Sequence, residues 1–498
     1  MHDLKVSSPQ SPVTGVPRRR PLGRDSVFWL FLVSLAFLAA ELTPALLHMP
    51  LGADEITYIA RTSIRASQVS LPPVHGQGAG LLAAPVTLFT QSLTIIRAWM
   101  SVLSAIGLFL SVLCWRGLRP LWVLALGELI LASLAIAQNS GVQVYPDWWG
   151  ALGTLALTGL FLQAVHGRMR NRLVLPLIAV ASMLIVLMRP QNIVFLMGPV
   201  ILAALLIPRW RQLRVLAAMA IGIAIGCLEW VAGAYIWYGG LLERIHLAGQ
   251  EPPPLGFYFA LGTQIRVLNG PWYCTPPDCT TFAAPGELAW WIAFLAIGTL
   301  GFWVGWKRGG LMRASAVLAG VTALWVFLLY SFLVPFGAPR YIVPSLALLA
   351  ILAADGIGWA VSEQRWRKIA VVCSCLFLVS GMVSQRILLN GQIKAQDQTR
   401  DYRSQARYLR KLGVHPPCVT EATSAAYYLG CAAPWTGMLM PAFLARTPEG
   451  IKGWRLLELP GLTTIVYVPV NSPLLKQQTS EQFRELLPGA ALQMQVSG

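Results

Sequence analysis

Acidic and arginine side chains lie at the ends of several long apolar runs, where they could carry out chemistry. Asp54 and Glu55 come shortly after the first run, and Asp147 lies at the start of a later one. Arg189 and Arg340 lie at the ends of two further runs. A carboxylate can take the proton from an attacking hydroxyl, and an arginine fork can bind phosphate oxygens in pairs. These residues predict transfer of a group from a phosphate-bearing donor, with Asp54, Glu55 and Asp147 as catalytic candidates.

Polar and aromatic residues near the same ends are candidates for substrate binding. They are Tyr58, His75, Arg97, Tyr145, Arg189, Gln191, Arg340 and Tyr341. Each also has an interpretation without function. An arginine at the end of a span can reach lipid headgroups, Asp147 can cap a helix, and His75 can be an ordinary surface residue. No single residue decides between these interpretations.

The elements that must hold these residues follow from composition. Of the 498 residues, 56% are hydrophobic and only 12% are charged, and this balance excludes a soluble globular domain. The net charge of +17 does not indicate nucleic-acid binding, because most of the basic residues form short clusters between apolar runs. Long continuous runs also exclude an outer-membrane β-barrel, whose strands alternate. We predict an all-α polytopic membrane protein.

The apolar runs divide the chain into three parts. A span needs about 20 apolar residues, and about eleven runs meet that need: 27–47, 96–114, 120–138, 148–165, 173–189, 191–207, 215–237, 288–306, 314–334, 342–361 and 369–389. The predicted parts are a basic leader (1–26), a transmembrane domain (27–389) with long outer segments (48–95 and 239–286), and a small α/β domain (390–498). A polar helix (400–412) followed by short strand-like runs, including 463–470, marks the last part.

The basic residues predict the orientation. Lys and Arg cluster in one set of loops, for example at 116–119, 168–172 and 307–313, and cytoplasmic loops keep positive charge during insertion. The N-terminus is therefore predicted to be cytoplasmic, and an odd number of spans places the C-terminal domain outside. The compact, arginine-rich loops favour a bacterial plasma membrane.

Four of the eight cysteines are expected on the outer face. Cys274 and Cys279 lie five positions apart, and Cys418 and Cys431 lie thirteen apart. An oxidising compartment favours a disulfide within each pair. A metal site at the first pair would need two further ligands that the nearby sequence does not offer, so no metal site is predicted there.

The order of the motifs resembles the GT-C superfamily of membrane glycosyltransferases over about residues 27–360. An acidic pair and Tyr58 follow the first span, a Pro- and Gly-rich stretch covers 71–80, and Arg97 lies at the start of the second span. Later segments agree with the same family: Tyr145-Pro146-Asp147 resembles its second acidic loop, Met188-Arg189-Pro190 its Arg-Pro turn, and Pro339-Arg340-Tyr341-Ile342-Val343-Pro344 its Arg-Tyr-x-x-Pro element.

Within the superfamily, the layout is most similar to enzymes that use a polyprenyl-monophosphate sugar, such as the lipid A aminoarabinose transferase and the protein O-mannosyltransferases. The resemblance implies an inverting transfer of the sugar to a hydroxyl of an envelope glycan, lipid or protein. Asp54 would then be the general base with Glu55 beside it, and Asp147 would orient the acceptor or sugar. Arg189, Arg340 and Arg97 would hold the donor phosphate.

Cofactor and donor identity follow less directly from the resemblance. A monophosphate leaving group held by arginine has no obligatory need for a metal, whereas members with diphosphate donors use a divalent ion. We therefore expect no cofactor, with a divalent metal as the less favoured alternative. The lysine that the aminoarabinose enzyme carries in its first outer loop has no counterpart here, since that stretch offers Arg61, Arg65 and His75. The identities of donor and acceptor stay open.

Two other functions fit the hydropathy. A transporter or flippase would show inverted repeats and polar, broken helices near mid-membrane, whereas the polar candidates here are predicted at one face. A non-catalytic membrane assembly partner would explain the outer domain and its disulfides, and it predicts that charge-neutral changes at Asp54 and Asp147 are harmless.

Overall fold

Helices dominate the structure. The computed structural model describes residues 24–63, 71–250, 256–275, 285–399, 402–420, 423–433, 452, 454–457 and 466–477. The α-helices are α1 (Arg24–Glu41), α2 (Pro44–Leu47), α3 (Ala53–Ala60), α4 (Gly78–Thr87), α5 (Leu93–Leu113), α6 (Leu121–Ser133), α7 (Ala135–Val142), α8 (Pro146–Val165), α9 (Asn171–Met188), α10 (Asn192–Phe195), α11 (Gly198–Leu206), α12 (Leu213–Trp237), α13 (Leu241–Gln250), α14 (Leu261–Val267), α15 (Pro285–Arg308), α16 (Gly310–Leu333), α17 (Val343–Ser362), α18 (Arg367–Thr399), α19 (Tyr402–Lys411), α20 (Thr423–Leu429) and α21 (Pro473–Gln477).

The predicted polytopic membrane fold is confirmed. In the described parts of the chain, eight helices are long and apolar enough to cross a bilayer, and α6 with α7 makes a ninth if the bent pair is one span. The first predicted span is a shorter apolar helix, Val27–Glu41. The sixth predicted span, 191–207, consists of the two short helices α10 and α11.

Two helices form the centre of the bundle. In both α8 and α17, 89% of the membrane-length window is buried inside the protein, whereas α12 and α18 are mostly exposed. Close packing of α15 on α17 depends on glycine. A Cβ at Gly301 would lie 1.8 Å from the carbonyl oxygen of Leu352, and one at Gly356 would lie 2.5 Å from that of Ile297. Small residues allow such backbone contact between membrane helices.

The third predicted span, 120–138, is broken rather than straight. The axes of α6 and α7 differ by 75°, and Leu134 between them is extended. The freed backbone N–H of Ala135 donates to Oε1 of Gln385, 3.1 Å away on α18. An unpaired backbone group within a membrane costs several kcal/mol, so a side-chain partner is what makes such a break tolerable.

Polar side chains continue this contact between α7 and α18. Nε2 of Gln143 donates to Oδ1 of Asn139 at 2.9 Å and lies 3.3 Å from Oε1 of Gln396. Gln392 donates to the carbonyl oxygen of Gly270 at 3.2 Å. The last predicted span ends at position 389, but α18 continues to Thr399. Gln392 and Gln396 lie in this continuation, which leads into the C-terminal region.

The C-terminal region contains a small antiparallel sheet. Its strands β1 (Val419–Thr420), β2 (Trp454–Leu457) and β3 (Val466–Pro469) have the order β1-β3-β2. The register pairs Val419 with Tyr467 and Leu456 with Tyr467 on the two sides of β3. Helix α20 packs against α3, and the hydroxyls of Ser63 and Tyr427 lie 3.4 Å apart. The sheet region is thus in direct contact with the helix that carries Asp54.

Charged loops and charged site residues lie at opposite ends of the bundle. We call the end where α1 stops and α8 and α17 begin the site end, and the opposite end the basic end. At the basic end, Nε of Arg119 donates to both carboxylate oxygens of Asp355 at 2.7 Å, and Nη1 donates to Ser315 at 2.7 Å. This buried pair joins the loop before α6 to α17.

Candidate active site

Asp54 lies in the first turn of α3, two positions after the extended residue Gly52 at which the helix begins. Its Oδ2 accepts a hydrogen bond from Nη2 of Arg340 at 2.8 Å. The Asp54 side chain is 44% exposed, whereas that of Arg340 is 6% exposed. The carboxylate therefore has a free side that a substrate can reach, while its other side is bound.

Arg340 lies in the turn Pro339–Ile342, a short 3-10 helix that leads into α17. Its Nε is 3.5 Å from Oδ2 of Asp147. The guanidinium stacks over the ring of Tyr145 at 4.4 Å and lies 5.4 Å from that of Tyr341. Arg340 thus faces both candidate carboxylates and rests on an aromatic surface, a contact that arginine makes better than lysine.

Asp147 and Arg189 complete the charged cluster. Asp147 lies in the first turn of α8, behind Pro146, and its Oδ1 is 3.6 Å from Nη1 of Arg189. Arg189 is the extended residue at which α9 ends, and it lies over the Tyr341 ring at 5.5 Å. Two aspartates and two arginines from four separate segments therefore meet at the site end.

The charges of this cluster determine the state of Asp54. Its withdrawal from bulk water would by itself raise the pKa of the carboxyl group, but the charge and hydrogen bond of Arg340, together with electrostatic contributions from His75 and Arg189, outweigh that effect and the pKa is lowered. Asp54 is therefore an anion at neutral pH. Its basicity depends on how firmly Arg340 holds it.

Tyr58 and His75 form the next layer. The Tyr58 side chain is fully buried, and its ring stacks on that of His75 with centroids 5.2 Å apart. Burial, and then the charge of Arg189, lower the pKa of His75 to about 3. Burial also raises the pKa of the Tyr58 hydroxyl. Both side chains are neutral near pH 7 and can act there as hydrogen-bonding groups.

Three glycines allow the His75 loop to approach its neighbours. A Cβ at Gly76 or Gly78 would lie 2.6 Å from the carbonyl oxygen of Leu187, close to the end of α9. A Cβ at Gly80 would lie 2.3 Å from the carbonyl oxygen of Tyr58. The Gly-rich stretch of the sequence is therefore explained by backbone contact, which only glycine permits at these distances.

Glu55 and Arg97 do not line the site. They form a buried ion pair in which both side chains are 0% exposed. Glu55 also accepts the backbone N–H groups of Gly52 at 2.9 Å and Val144 at 2.8 Å. Arg97 donates to the carbonyl oxygen of Val142 at 3.0 Å. This placement does not support the predicted catalytic role of Glu55 or the predicted phosphate-binding role of Arg97. The pair fixes α3 to α5 and to the segment before α8.

The remaining candidates lie around the cluster. Tyr341 stacks on Tyr330 with centroids 4.9 Å apart, and both rings are nearly inaccessible. Gln191 lies two positions after Arg189, at the start of α10, and is partly exposed. Two buried residues near the site, Tyr330 and Arg244 of α13, are not among the candidates that the sequence offers. Arg244 lies beside Glu243 in a short outer helix, and nothing in that local sequence marks it as buried.

Three of the four cysteines that the sequence places on the outer face lie in the described residues. Cys418 and Cys431 form a disulfide within the C-terminal region. Cys274 is held in a disulfide, and Cys279 lies outside the described residues. Among the residues that the structure describes, no group of three or more His, Cys, Asp or Glu side chains is arranged to hold a metal ion.

The sequence matches no protein-family model and no curated protein, but the fold matches solved structures. ArnT from Cupriavidus metallidurans bound to undecaprenyl phosphate is 15% identical, with 82% of this chain and 86% of that chain covered and a TM-score of 0.56. The apo state of the same protein is 13% identical, with 82% and 84% covered and a TM-score of 0.55. ArnT is the lipid A aminoarabinose transferase, a GT-C glycosyltransferase. The chain therefore shares the fold of these ArnT structures, as the order of its motifs predicts.

Proposed function

We propose that the protein is a membrane glycosyltransferase that moves a sugar from a polyprenyl-monophosphate donor to an acceptor hydroxyl. The observation that carries this proposal is the cluster in which Arg340 contacts both Asp54 and Asp147 while Arg189 contacts Asp147. Transfer from a phosphate-bearing donor needs cations for the leaving group and a base for the acceptor. The cluster supplies both within a few ångströms. The undecaprenyl phosphate bound to ArnT, which shares the fold, supports this class of donor.

The two arginines are the proposed ligands of the donor phosphate. Arg189 and Arg340 both belong to turns at the site end, and the Tyr341 ring lies beside each guanidinium. Arginine forks bind phosphate oxygens in pairs and stack on aromatic faces. The apolar tail of the donor would stay in the bilayer, with the sugar directed towards Asp54.

Asp54 is the candidate base. It would accept the proton of the acceptor hydroxyl while the hydroxyl oxygen forms a bond to the anomeric carbon. The bond from that carbon to the phosphate oxygen breaks, and the electron pair leaves with the polyprenyl phosphate. A direct displacement inverts the anomeric centre. Guanidinium groups in a partly enclosed site stabilise the charge that develops on the leaving phosphate.

We propose that the reaction needs no metal. Both candidate carboxylates face guanidinium groups, so a divalent ion between them would meet two positive charges at short range. This charge distribution does not fit a cation site. Asp147, which lies between the two arginines, would instead hold them apart at the spacing that a phosphate needs.

The break between α6 and α7 bears on the alternative of a transporter or flippase, which would use broken helices near mid-membrane. Here Gln385 binds the freed N–H of Ala135, and α7 leads on to the site end. A side chain of α18 thus satisfies the backbone at the break, so the break by itself does not indicate a substrate site, and the charged cluster at the site end favours the transferase.

We further propose a bacterial plasma membrane location with the site on the extracytoplasmic face. Arg168, Arg170 and other basic residues cluster at the basic end, and positively charged loops stay in the cytoplasm. The acceptor is then an envelope glycan, lipid or protein.

Release of polyprenyl phosphate tests the proposal. Purified protein in lipid would be given a panel of polyprenyl-monophosphate sugars and an envelope extract, and release would be followed by mass spectrometry. We expect release by the wild type, a loss of most turnover in Asp54→Asn, and normal turnover in Glu363→Gln, an exposed glutamate at the basic end. Absence of release with every donor, or equal release by Asp54→Asn, would contradict the proposal.

A further inference from the structure

The loop that carries His75 is bound along its backbone by side chains of α12 and α13. Nε1 of Trp230 donates to the carbonyl oxygen of Pro73 at 2.9 Å, and the hydroxyl of Tyr238 donates to that of Leu71. The backbone N–H of Gln77 donates to Oε2 of Glu229 at 2.9 Å. Both ends of the loop are therefore tied to the end of α12.

Arg244 of α13 binds the middle of the same loop. Its Nε donates to the carbonyl oxygen of Pro73 at 3.0 Å, and its Nη2 donates to that of His75 at 2.8 Å. A third bond runs from Nη1 to the carbonyl oxygen of Trp230. One guanidinium thus connects the backbone of His75 to the helix that binds the rest of the loop.

Aromatic rings fix the orientation of this guanidinium. Arg244 lies over the ring of Trp230 at 4.4 Å and over that of Tyr238 at 4.6 Å. Its residue exposure is 1%, although Leu242 and Ile245 of the same helix are 83% and 52% exposed. A lysine would keep the charge but would lack the planar fork that serves two carbonyl groups while stacking on rings.

The opposite side of the loop faces the charged cluster. Gly76 and Gly78 pack on the carbonyl oxygen of Leu187, two positions before Arg189. The charges of Arg189 and Asp54 act on the His75 ring, and the ring stacks on Tyr58. A shift of the backbone at His75 would therefore move the imidazole relative to both catalytic charges.

We propose that Arg244 is a positioning residue that sets the place of the His75 imidazole in the site. The inference rests on the proposed function for its effect on turnover, but the placement itself is independent of that function. Arg244 is buried against the end of α12. It acts through the carbonyl groups on which His75 depends, and a displacement of about 1 Å in such a group can cost about a hundredfold in rate.

Residue-resolved labelling of histidines with diethyl pyrocarbonate tests the placement without any substrate. Arg244→Lys would be compared with the wild type and with Arg266→Lys, an exposed arginine of α14, and His166 at the basic end would serve as the internal reference. We expect His75 labelling to rise roughly fivefold or more in Arg244→Lys, because the loop opens locally, and to stay unchanged in Arg266→Lys. Unchanged labelling of His75 in folded Arg244→Lys would overturn the proposal.

Trp230→Phe provides a second variant if Arg244→Lys does not fold. It removes one bond to Pro73 and keeps a ring beneath the guanidinium. We expect a smaller rise in His75 labelling, and an unchanged value would again overturn the proposal.

Turnover provides the second readout. If Arg244 acts through His75, we expect Arg244→Lys to lower kcat about tenfold alone and to add little in a His75→Ala background. Losses that simply add would overturn the positioning role. If the wild type transfers no sugar while His75 labelling still rises in Arg244→Lys, the proposed function fails and the positioning role stands.

Discussion

The guanidinium of Arg340 donates to the carboxylate of Asp54 across 2.8 Å, although the two residues are 286 positions apart in the chain. This contact joins an arginine proposed to bind the donor phosphate to the carboxylate proposed as the general base. A donor phosphate that binds Arg340 competes with Asp54 for the same N–H groups. Donor binding would therefore release the base that the acceptor needs, which favours an order in which the donor binds first.

Replacement of Arg340 should mainly affect the donor. We expect Arg340→Met to lose about 2 kcal/mol of transition-state stabilisation, or roughly a 30-fold fall in kcat/KM, because one charge-assisted bond to phosphate is removed. Steady-state kinetics with varied donor would measure it. Arg367→Met, an exposed arginine at the start of α18, should behave like the wild type, and equal kinetics for both variants would exclude Arg340 from donor binding.

The pH dependence of kcat/KM should report the low pKa of Asp54 in the free protein. Since Arg340 lowers the pKa of Asp54, protonation should reduce activity only below about pH 4, the ordinary carboxyl range. In Arg340→Met the effect of withdrawal from water is less opposed, so the acid limb should move to higher pH. A wild-type acid limb near neutrality would contradict Asp54 as the base.

The Glu55–Arg97 pair should contribute to stability and not to the chemical step. Both side chains are fully buried, so Glu55→Gln leaves an unpaired buried cation, and loss of one partner costs about 3–5 kcal/mol. Thermal unfolding in detergent should show a large fall in Tm, with part of it recovered in the double variant Glu55→Leu, Arg97→Met. A stable but inactive Glu55→Gln protein would restore the catalytic interpretation.

Gly78 should not tolerate a side chain. A Cβ there would lie 2.6 Å from the carbonyl oxygen of Leu187, so Gly78→Ala should cost about 1–3 kcal/mol of stability by overpacking. At Gly262 in α14 a Cβ would meet nothing within 4 Å, and alanine there should gain up to about 1 kcal/mol. Melting temperatures of the two variants would measure this difference in stability. Equal values would show that the backbone near Gly78 moves to accommodate the added side chain.

Chelation should leave turnover unchanged. Arg189 and Arg340 already neutralise the candidate carboxylates, so EDTA treatment followed by assay without added metal should give the wild-type rate. A loss that Mg²⁺ or Mn²⁺ restores would instead indicate a divalent ion in the reaction.

The four charged residues of the cluster could be predicted from the sequence because of their positions relative to the apolar runs. Asp54, Asp147, Arg189 and Arg340 all lie at ends of apolar runs, and alternation of the spans brings those ends to one face. The sequence could not predict which charges pair with each other. Arg97 occupies the same kind of position, yet it binds Glu55 inside the protein, because the neighbouring backbone encloses both groups.

Tertiary contacts account for the other features of the structure that could not be predicted from the sequence. The break at Leu134 has neither proline nor glycine to mark it in the sequence, and it depends on Gln385, 250 positions from Ala135. Arg244 holds His75 from 169 positions away. Such partners become neighbours only after the helices have packed, so local patterns carry no trace of them.

The Arg119–Asp355 pair has a consequence for how the protein is made. Asp355 alone would cost roughly 2.5–3.5 kcal/mol at the centre of a membrane helix, and α17 carries it into the protein interior, whereas Arg119 lies in the loop before α6. Arg119 is synthesised first, and its partner follows 236 positions later. An early bundle that already holds Arg119 at the basic end would offer Asp355 a partner as α17 inserts, so we expect insertion of α17 to depend on the loop before α6.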